Sequence, residues 1–514
     1  MTIPRRAWRA TMAFAILAMI GQARAEVKLP AVLSDHMVLQ QQMPVSIWGT
    51  ANPGEQVTVT FGNEKQSATA DSSGKWKVAL SPLHANAQPS DLTIAGSNTI
   101  TLHDILVGEV WVCSGQSNME FSMRTVKNST QEIAQADNPQ IRLFTVPKWI
   151  AEKPESDIKP NTRDGKWEAC TPQTVPGFTA VGYFFGRDLQ KSLHVPVGLI
   201  HTSWGGTPAE SWTPDNYLKE DPEFDAIEKH RETAQADYDK QMERWPQAVE
   251  RAKAANRPAP RKPLDPQHNP NLASVLYNGM IAPIVPDAIR GAIWYQGESN
   301  AGRAYQYRKL LPAMIKSWRD AWGEPDMSFL IVSLANFQNP PTAPGESDWA
   351  ELREAQSMTA HMPHNGQALA IDLADANNPG DIHPKDKQDV GHRLAFVALA
   401  KTYGQNIPYS GPEFESMKVD GNKATLTFKF ADGMKAKDGP VRGFQVAGED
   451  HKWHWADAHV GGNTVVVSCP DVQTIAAVRY DWANNPQGNL YNKAGLPAVP
   501  FRTDQWPGVT EGKK

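Results

Sequence analysis

Cysteine is scarce in this chain, with three among 514 residues, at Cys113, Cys170 and Cys469. Three thiols leave at least one unpaired, and their spacing matches no zinc-binding or redox motif. Neither redox chemistry nor a zinc cluster is suggested. Cys113 lies in an apolar run and reads as a small buried residue. Basic tracts are also missing. The 51 Lys and Arg are outnumbered by 56 Asp and Glu, for a formal charge of −5, which argues against a nucleic-acid partner. Beyond the first twenty-five residues no apolar run approaches the ~20 residues a membrane span needs, so no membrane association is expected after that point. No internal repeat is evident. Hydrophobic residues at 40% and charged residues at 21% belong to an ordinary globular chain long enough for about three domains. Seventeen Trp are present. Most are expected in the core, although indole faces also suit the C–H faces of sugars.

The amino terminus carries Arg5, Arg6 and Arg9, a mostly apolar stretch from Thr11 to Ile20, and Ala23-Arg24-Ala25. This is the pattern of a secretory signal peptide over residues 1–25. Its removal takes away four Arg and no acid, and implies a periplasmic or extracellular protein.

Three patterns follow. Residues 26–104 alternate apolar and polar side chains in Val45–Trp48, Gln56–Phe61 and Lys75–Leu80. Asn52-Pro-Gly54 and Asp71-Ser-Ser-Gly74 separate these runs, so a small β-sandwich-like domain is predicted. Residues 105–406 read as an α/β domain. Apolar strands are predicted at Leu106–Cys113, Val195–Ile200, Ile289–Tyr295, Phe329–Leu334 and Ala368–Leu373. Helices are predicted at Val181–Lys191, Tyr305–Trp322, Trp349–Ala360 and Lys385–Lys401. An insertion of about 213–270 interrupts it. Its charged part, Glu223–Lys253, looks helical, and Pro-rich chain follows. It reads either as a lid or rim, or as a solvated excursion. Residues 407–514 return to β, with strands at Lys423–Phe430 and Asn463–Ser468.

Four segments carry the chemistry, each just after a predicted strand. Val110 to Glu120 runs from a buried strand into a Gly-containing polar turn that offers Ser117, or Ser114, as a nucleophile. Gly380-Asp-Ile-His-Pro384 presents His383 as a general base, with Asp381 near enough to orient it. Ile293 to Asn300 brings the amides of Gln296 and Asn300, donors suited to an oxyanion hole, and the carboxylate Glu298. Ser203 to Pro208 brings Gly205 and Gly206, where backbone N–H groups can approach a ligand. Each segment alone also fits an ordinary turn. Their shared position after strands of one sheet points to a single site.

Gly115-Gln-Ser-Asn118, Trp204-Gly-Gly-Thr207, Gln296-Gly-Glu-Ser-Asn300 and Asp381-Ile-His-Pro384 together resemble the sialate O-acetylesterase-like family. That family is a branch of the SGNH (GDSL-like) hydrolases related to carbohydrate acetyl esterases. Leu276-Tyr-Asn-Gly-Met280 and Trp349 to Gln356 are also similar to it. The resemblance implies a flavodoxin-like three-layer α/β/α fold with flanking β-sandwich-like modules, and an acetylated carbohydrate as substrate, hydrolysed with no metal or organic cofactor. Sialate and acetylated xylan are both open as that substrate, and the two β modules and many Trp also fit a non-catalytic glycan-binding protein. It implies Ser117 as nucleophile and His383 as base. It further implies an oxyanion hole drawn from the Ser117 N–H, a Gly205 or Gly206 N–H, and Gln296 or Asn300. The wider SGNH pattern puts an acid three residues before the His, where this chain has Gly380. The third member is therefore Asp381, Glu298 or neither. A sialate site should recognise a carboxylate. Arg124 and Arg303, which follow two of the motifs, are candidates for that contact or are structural arginines.

Overall fold

The computed structural model describes residues 26–514. Residues 1–25, expected to be a signal peptide, lie outside the described residues. Seven strands form the central sheet, in the spatial order Asn365–Leu369, Ser328–Ser333, Gly291–Tyr295, Thr99–Gly115, Val197–Ser203, Asn138–Thr145 and Trp167–Cys170. All are parallel except the last, which pairs antiparallel with Asn138–Thr145. With the two strands beyond Val197–Ser203 set aside, the order is that of a flavodoxin-like sheet. The chain leaving Thr99–Gly115 runs to the side of Val197–Ser203 and that leaving Gly291–Tyr295 to the side of Ser328–Ser333, so a crevice opens at their carboxyl ends, where ligands bind in such sheets.

Both faces of this sheet are covered, which is why its strands read as continuous apolar runs. On one face, Ile293, Tyr295, Leu330 and Val332 pack against helices Ala180–Leu193 and Lys387–Lys401. On the other, Ala292, Trp294, Phe329 and Ile331 pack against Ala304–Trp322 and Asp348–Ala360. Alternate residues of one strand thus serve two cores. Trp294 contacts Trp212 and Trp318 edge-on, with ring centroids 6.1 and 6.0 Å apart. Trp111, Trp212, Trp294, Trp318 and Trp482 are fully buried, so packing accounts for a large part of the tryptophan content.

The helices begin where side chains satisfy the first N–H groups. Thr179 accepts from the Gly182 N–H, Ser347 from Ala350 and Asp386 from Asp389. Gly323, left-handed at φ 72°, ends Ala304–Trp322. Helix limits differ from the sequence prediction by two residues or fewer. The strand predicted at Ala368–Leu373 lies instead at Asn365–Leu369. Asn138–Thr145 and Trp167–Cys170 were not predicted.

The amino-terminal module holds a two-stranded sheet, Val45–Thr50 with Lys75–Leu80, beside strands Gln56–Phe61, Glu64–Thr69 and Asn86–Ala95. No linker separates it from the α/β region at residue 104. Thr99–Gly115 is one 17-residue strand that pairs with Asn86–Ala95 in its first part and enters the central sheet in its second. The insertion is dominated by one long helix, Asp225–Ala254, in which only Ile227 and Glu228 are buried. The carboxyl-terminal module has two four-stranded antiparallel sheets around its own core, which includes Leu426, Phe444, Val465 and Val478. All three cysteines are buried and free. Among the described residues no helix is long and apolar enough to cross a membrane.

Candidate active site

The central strand ends at Gly115, between Ser203 and Tyr295 of its two neighbours. Gly115 takes φ 140°, and a Cβ there would lie 2.2 Å from the Tyr295 carbonyl oxygen. Only glycine lets the chain turn so close to the neighbouring backbone. The turn delivers Ser117 to the head of a short helix, Ser117–Glu120. Its N–H lies where helix geometry leaves the first donors without an intrahelical partner. Ser114, one of the two alternatives, is fully buried in the strand, and its hydroxyl meets no hydrogen-bond partner. Ser117 is the half-buried one.

His383 arrives from 266 residues away, and its Nε2 lies 2.9 Å from Ser117 Oγ. Its Nδ1 lies 3.0 Å from Asp381 Oδ1, which also accepts the His383 backbone N–H at 2.9 Å. A carboxylate only accepts hydrogen bonds, so Nδ1 carries the proton and Nε2 presents its lone pair to the Ser117 hydroxyl. The two-residue spacing works because Asp381 reaches ring and backbone of His383 together. The loop is anchored by the Gln338 N–H on the Pro379 carbonyl and the Asn118 amide on the Ile382 carbonyl.

Glu298 makes no hydrogen bond to His383. Its Oε1 accepts from Asn118 Nδ2 at 2.7 Å, and its buried Oε2 has no partner. Burial raises this carboxyl above the usual range, opposed by its own backbone N–H, Asn118, Lys387 and His383. Lys387, fully buried, donates to Asn118 Oδ1 at 2.5 Å. Burial pulls its ammonium down to about 7, against the pull of Glu298 and Asp381. Asn118 therefore ties the nucleophile turn to Glu298, Lys387 and the His383 loop. The sequence reading gave no role to Asn118 or Lys387. Asn118 adjoins Ser117 within a quoted motif, whereas nothing local marks Lys387.

The two amides expected in the oxyanion hole both have protein partners. Gln296, fully buried, donates to the Thr207 carbonyl and to Asn300 Oδ1. Asn300, also buried, donates to Glu210 and accepts from the Ala209 N–H. These hydrogen bonds tie both amides to the segment from Thr207 to Glu210. Gly205 does come close, since a Cβ on it would lie 3.3 Å from Ser117 Cβ. Its N–H donates to Glu120 Oε2 at 2.7 Å, and Lys148 holds the other oxygen at 2.6 Å. Gly206 takes φ 81° at an exposed position.

Arg303 is tied to Glu210 and Gln306, both at 2.7 Å, and is structural. Arg124 is exposed with no ion pair among the described residues. One group has metal-ligand chemistry: His454, Cys469 and Asp471, whose ligand atoms lie within 4.8 Å of one another. It belongs to the carboxyl-terminal module, not to the Ser117 site.

A doubly covered parallel sheet with serine, histidine and carboxylate gathered at its carboxyl edge has the architecture of a hydrolase. Residues 107–256 and 267–400 match the family described as carbohydrate esterase, sialic acid-specific acetylesterase, and the chain belongs to that family. It is 30% identical to the sialate O-acetylesterase of Homo sapiens, over 94% of each chain. It is equally 30% identical to that of Rattus norvegicus, over 92% of this chain and 94% of the other. The solved structure of a carbohydrate acetylesterase from Xanthomonas citri superposes with a TM-score of 0.80 at 36% identity, covering 93% of this chain and 100% of the other. The protein is thus a carbohydrate-esterase hydrolase, similar to the sialate O-acetylesterases.

Proposed function

We propose that this protein is an exported O-acetylesterase that removes acetyl groups from sialic acids through a serine acyl-enzyme. The observation that carries the reading is the hydrogen-bonded run from Ser117 Oγ to His383 Nε2 and from His383 Nδ1 to Asp381. Ser117 Oγ attacks the acetyl carbonyl while His383 takes its proton. Asp381 holds the ring in the correct tautomer and stabilises the imidazolium that forms. The Ser117 N–H faces the developing oxyanion, joined by a Gly205 or Gly206 N–H. For Gly205 to serve, the Glu120 carboxylate must yield its place to the substrate oxygen. His383 then protonates the departing sugar alcohol. Water, activated by the same ring, releases acetate and restores Ser117.

The likeness to sialate O-acetylesterases along nearly the whole chain favours sialate over acetylated xylan. Export rests on the amino-terminal pattern of arginines, apolar stretch and Ala-x-Ala site. Acetate release from O-acetylated sialic acid and from acetylated xylan, by wild type and Ser117→Ala, tests the reading. Wild type should release acetate chiefly from the sialate, and the variant should be nearly inactive. A variant as active as wild type refutes the assignment of Ser117. Faster release from xylan refutes the substrate. Amino-terminal sequencing of exported protein should begin at Glu26.

A further inference from the structure

Beside Ser117 lies a cleft of about 670 Å³, within the usual span of ligand pockets. Glu120, whose carboxylate bonds Gly205 next to Ser117, stands on its wall, and so does Ser203 at the carboxyl end of its strand. Leu143, Val146 and Phe178 supply apolar lining.

The charges of this cleft depart from those of the molecule. The whole chain is net negative. The cleft carries Arg124, Lys148, Arg163 and Lys166 against Glu120, Asp164 and Glu168. Lys148 pairs with Glu120 at 2.6 Å and Lys166 with Glu168 at 3.2 Å. Arg124 and Arg163 have no ion pair or side-chain hydrogen bond among the described residues, and Asp164 is the one acid left opposite them. Gly177 lies beside the Arg124 guanidinium, and a Cβ added there would stop 4.0 Å from its terminal nitrogen, so no side chain covers it from that position. Two free guanidinium groups in a cleft whose wall includes Glu120, the residue that bonds Gly205 beside Ser117, form a site for a planar anion.

We infer that Arg124 and Arg163 bind the carboxylate of an acidic sugar whose acetyl ester is presented to Ser117. This rests on the acetylesterase reading above and specifies its substrate. The chemistry named is a sugar carboxylate. With the sialate reading above, that acid is a nine-carbon sugar whose acetyl ester lies on its side chain, away from the carboxylate. The neutral xylose unit of acetylated xylan offers nothing to these arginines.

The test uses 9-O-acetylated sialic acid and its carboxyl methyl ester, in which the carboxyl group carries no charge. In wild type, masking the carboxylate should lower kcat/KM roughly tenfold, chiefly through KM. In the Arg124→Ala/Arg163→Ala variant the two substrates should be hydrolysed alike, and Arg124→Lys should retain part of the preference. A preference of the same size in wild type and double variant overturns the inference while leaving the esterase reading intact. Wild type that hydrolyses 4-nitrophenyl acetate but neither sialate overturns the sialate reading and this inference with it. An acetylated hexuronate run in parallel separates the two sources of carboxylate. An arginine-dependent preference for the hexuronate alone overturns the nine-carbon assignment.

Discussion

Replacing Asp381 by Asn tests which carboxylate supports His383. Asn keeps an oxygen able to accept both the ring and backbone N–H of His383, so the loop should hold its shape. What disappears is a negative charge next to the imidazolium that forms as Ser117 is deprotonated. Two unit charges ~4 Å apart interact by about 4 kcal/mol at an effective dielectric of 20, and by about 1 kcal/mol in water. The Asp381 and His383 side chains are 35% and 32% exposed, which places the pair between these limits. A loss of about 2–3 kcal/mol corresponds to a fall in kcat of roughly 30- to 150-fold. Glu298→Gln is the comparison, because Glu298 meets Asn118 and makes no hydrogen bond to the His383 ring. Its kcat should fall less than about fivefold, since Gln keeps the oxygen that accepts from Asn118 while its charge acts on His383 only at a distance. Acetate release at saturating substrate measures both, with circular dichroism confirming that each variant is folded. A larger loss in Glu298→Gln than in Asp381→Asn would refute the reasoning.

Asn118→Ala removes the group between Glu298, Lys387 and the Ile382 carbonyl. It should cost about 3 kcal/mol in denaturant unfolding, because it strands buried polar and charged groups, and should lower kcat by loosening the His383 loop. An unchanged midpoint and unchanged kcat would show that Asn118 is not the tie. Gly205→Ala places a methyl 3.3 Å from Ser117 Cβ and 3.2 Å from Glu120 Oε2. A fall in kcat of about tenfold or more with little change in stability is expected, approaching the ~10²–10³ associated with a lost oxyanion donor. Full activity would exclude Gly205 from the site. His201 is buried with its Nε2 2.6 Å from Ser203 Oγ, and burial lowers its pKa to about 4, opposed by Glu120 and reinforced by Lys148. The unfolded chain, with an ordinary His near 6.5, binds more protons between these values. The neutral ring's contribution is therefore whole above about pH 6.5 and is lost as pH falls toward 4, by up to about 3 kcal/mol. Urea unfolding of wild type and His201→Gln should converge over that window. A constant difference would refute a buried neutral His201.

The local pattern settled a good deal. Apolar runs located five strands of the sheet, and the helices are bounded within two residues, because periodicity and capping side chains act over a few residues. The four loop segments were legible for the same reason, since each directly follows a strand. Asn138–Thr145 escaped because its apolar residues are interleaved with Arg142, whose guanidinium is neutralised by Asp104 from the amino-terminal part of the long strand. The boundary at residue 104 was set by a change of pattern, but a single strand can pair with one module at its start and another at its end.

Only the tertiary structure decided how the side chains divide their work. By sequence, Asp381 was narrowly preferred with Glu298 beside it, and Arg124 and Arg303 were candidates for a carboxylate or structural arginines. Gln296 and Asn300 were candidate oxyanion donors. Their partners lie far along the chain: Asn118 for Glu298 is 180 residues distant, and Glu210 for Arg303 and Asn300 is 93 and 90. A hydrogen bond forms with whatever the fold brings within ~3 Å, and no sequence spacing encodes that meeting. The residue types and strand ends thus specified the available chemistry, while the packing of the sheet determined which groups are engaged and which remain open to a substrate.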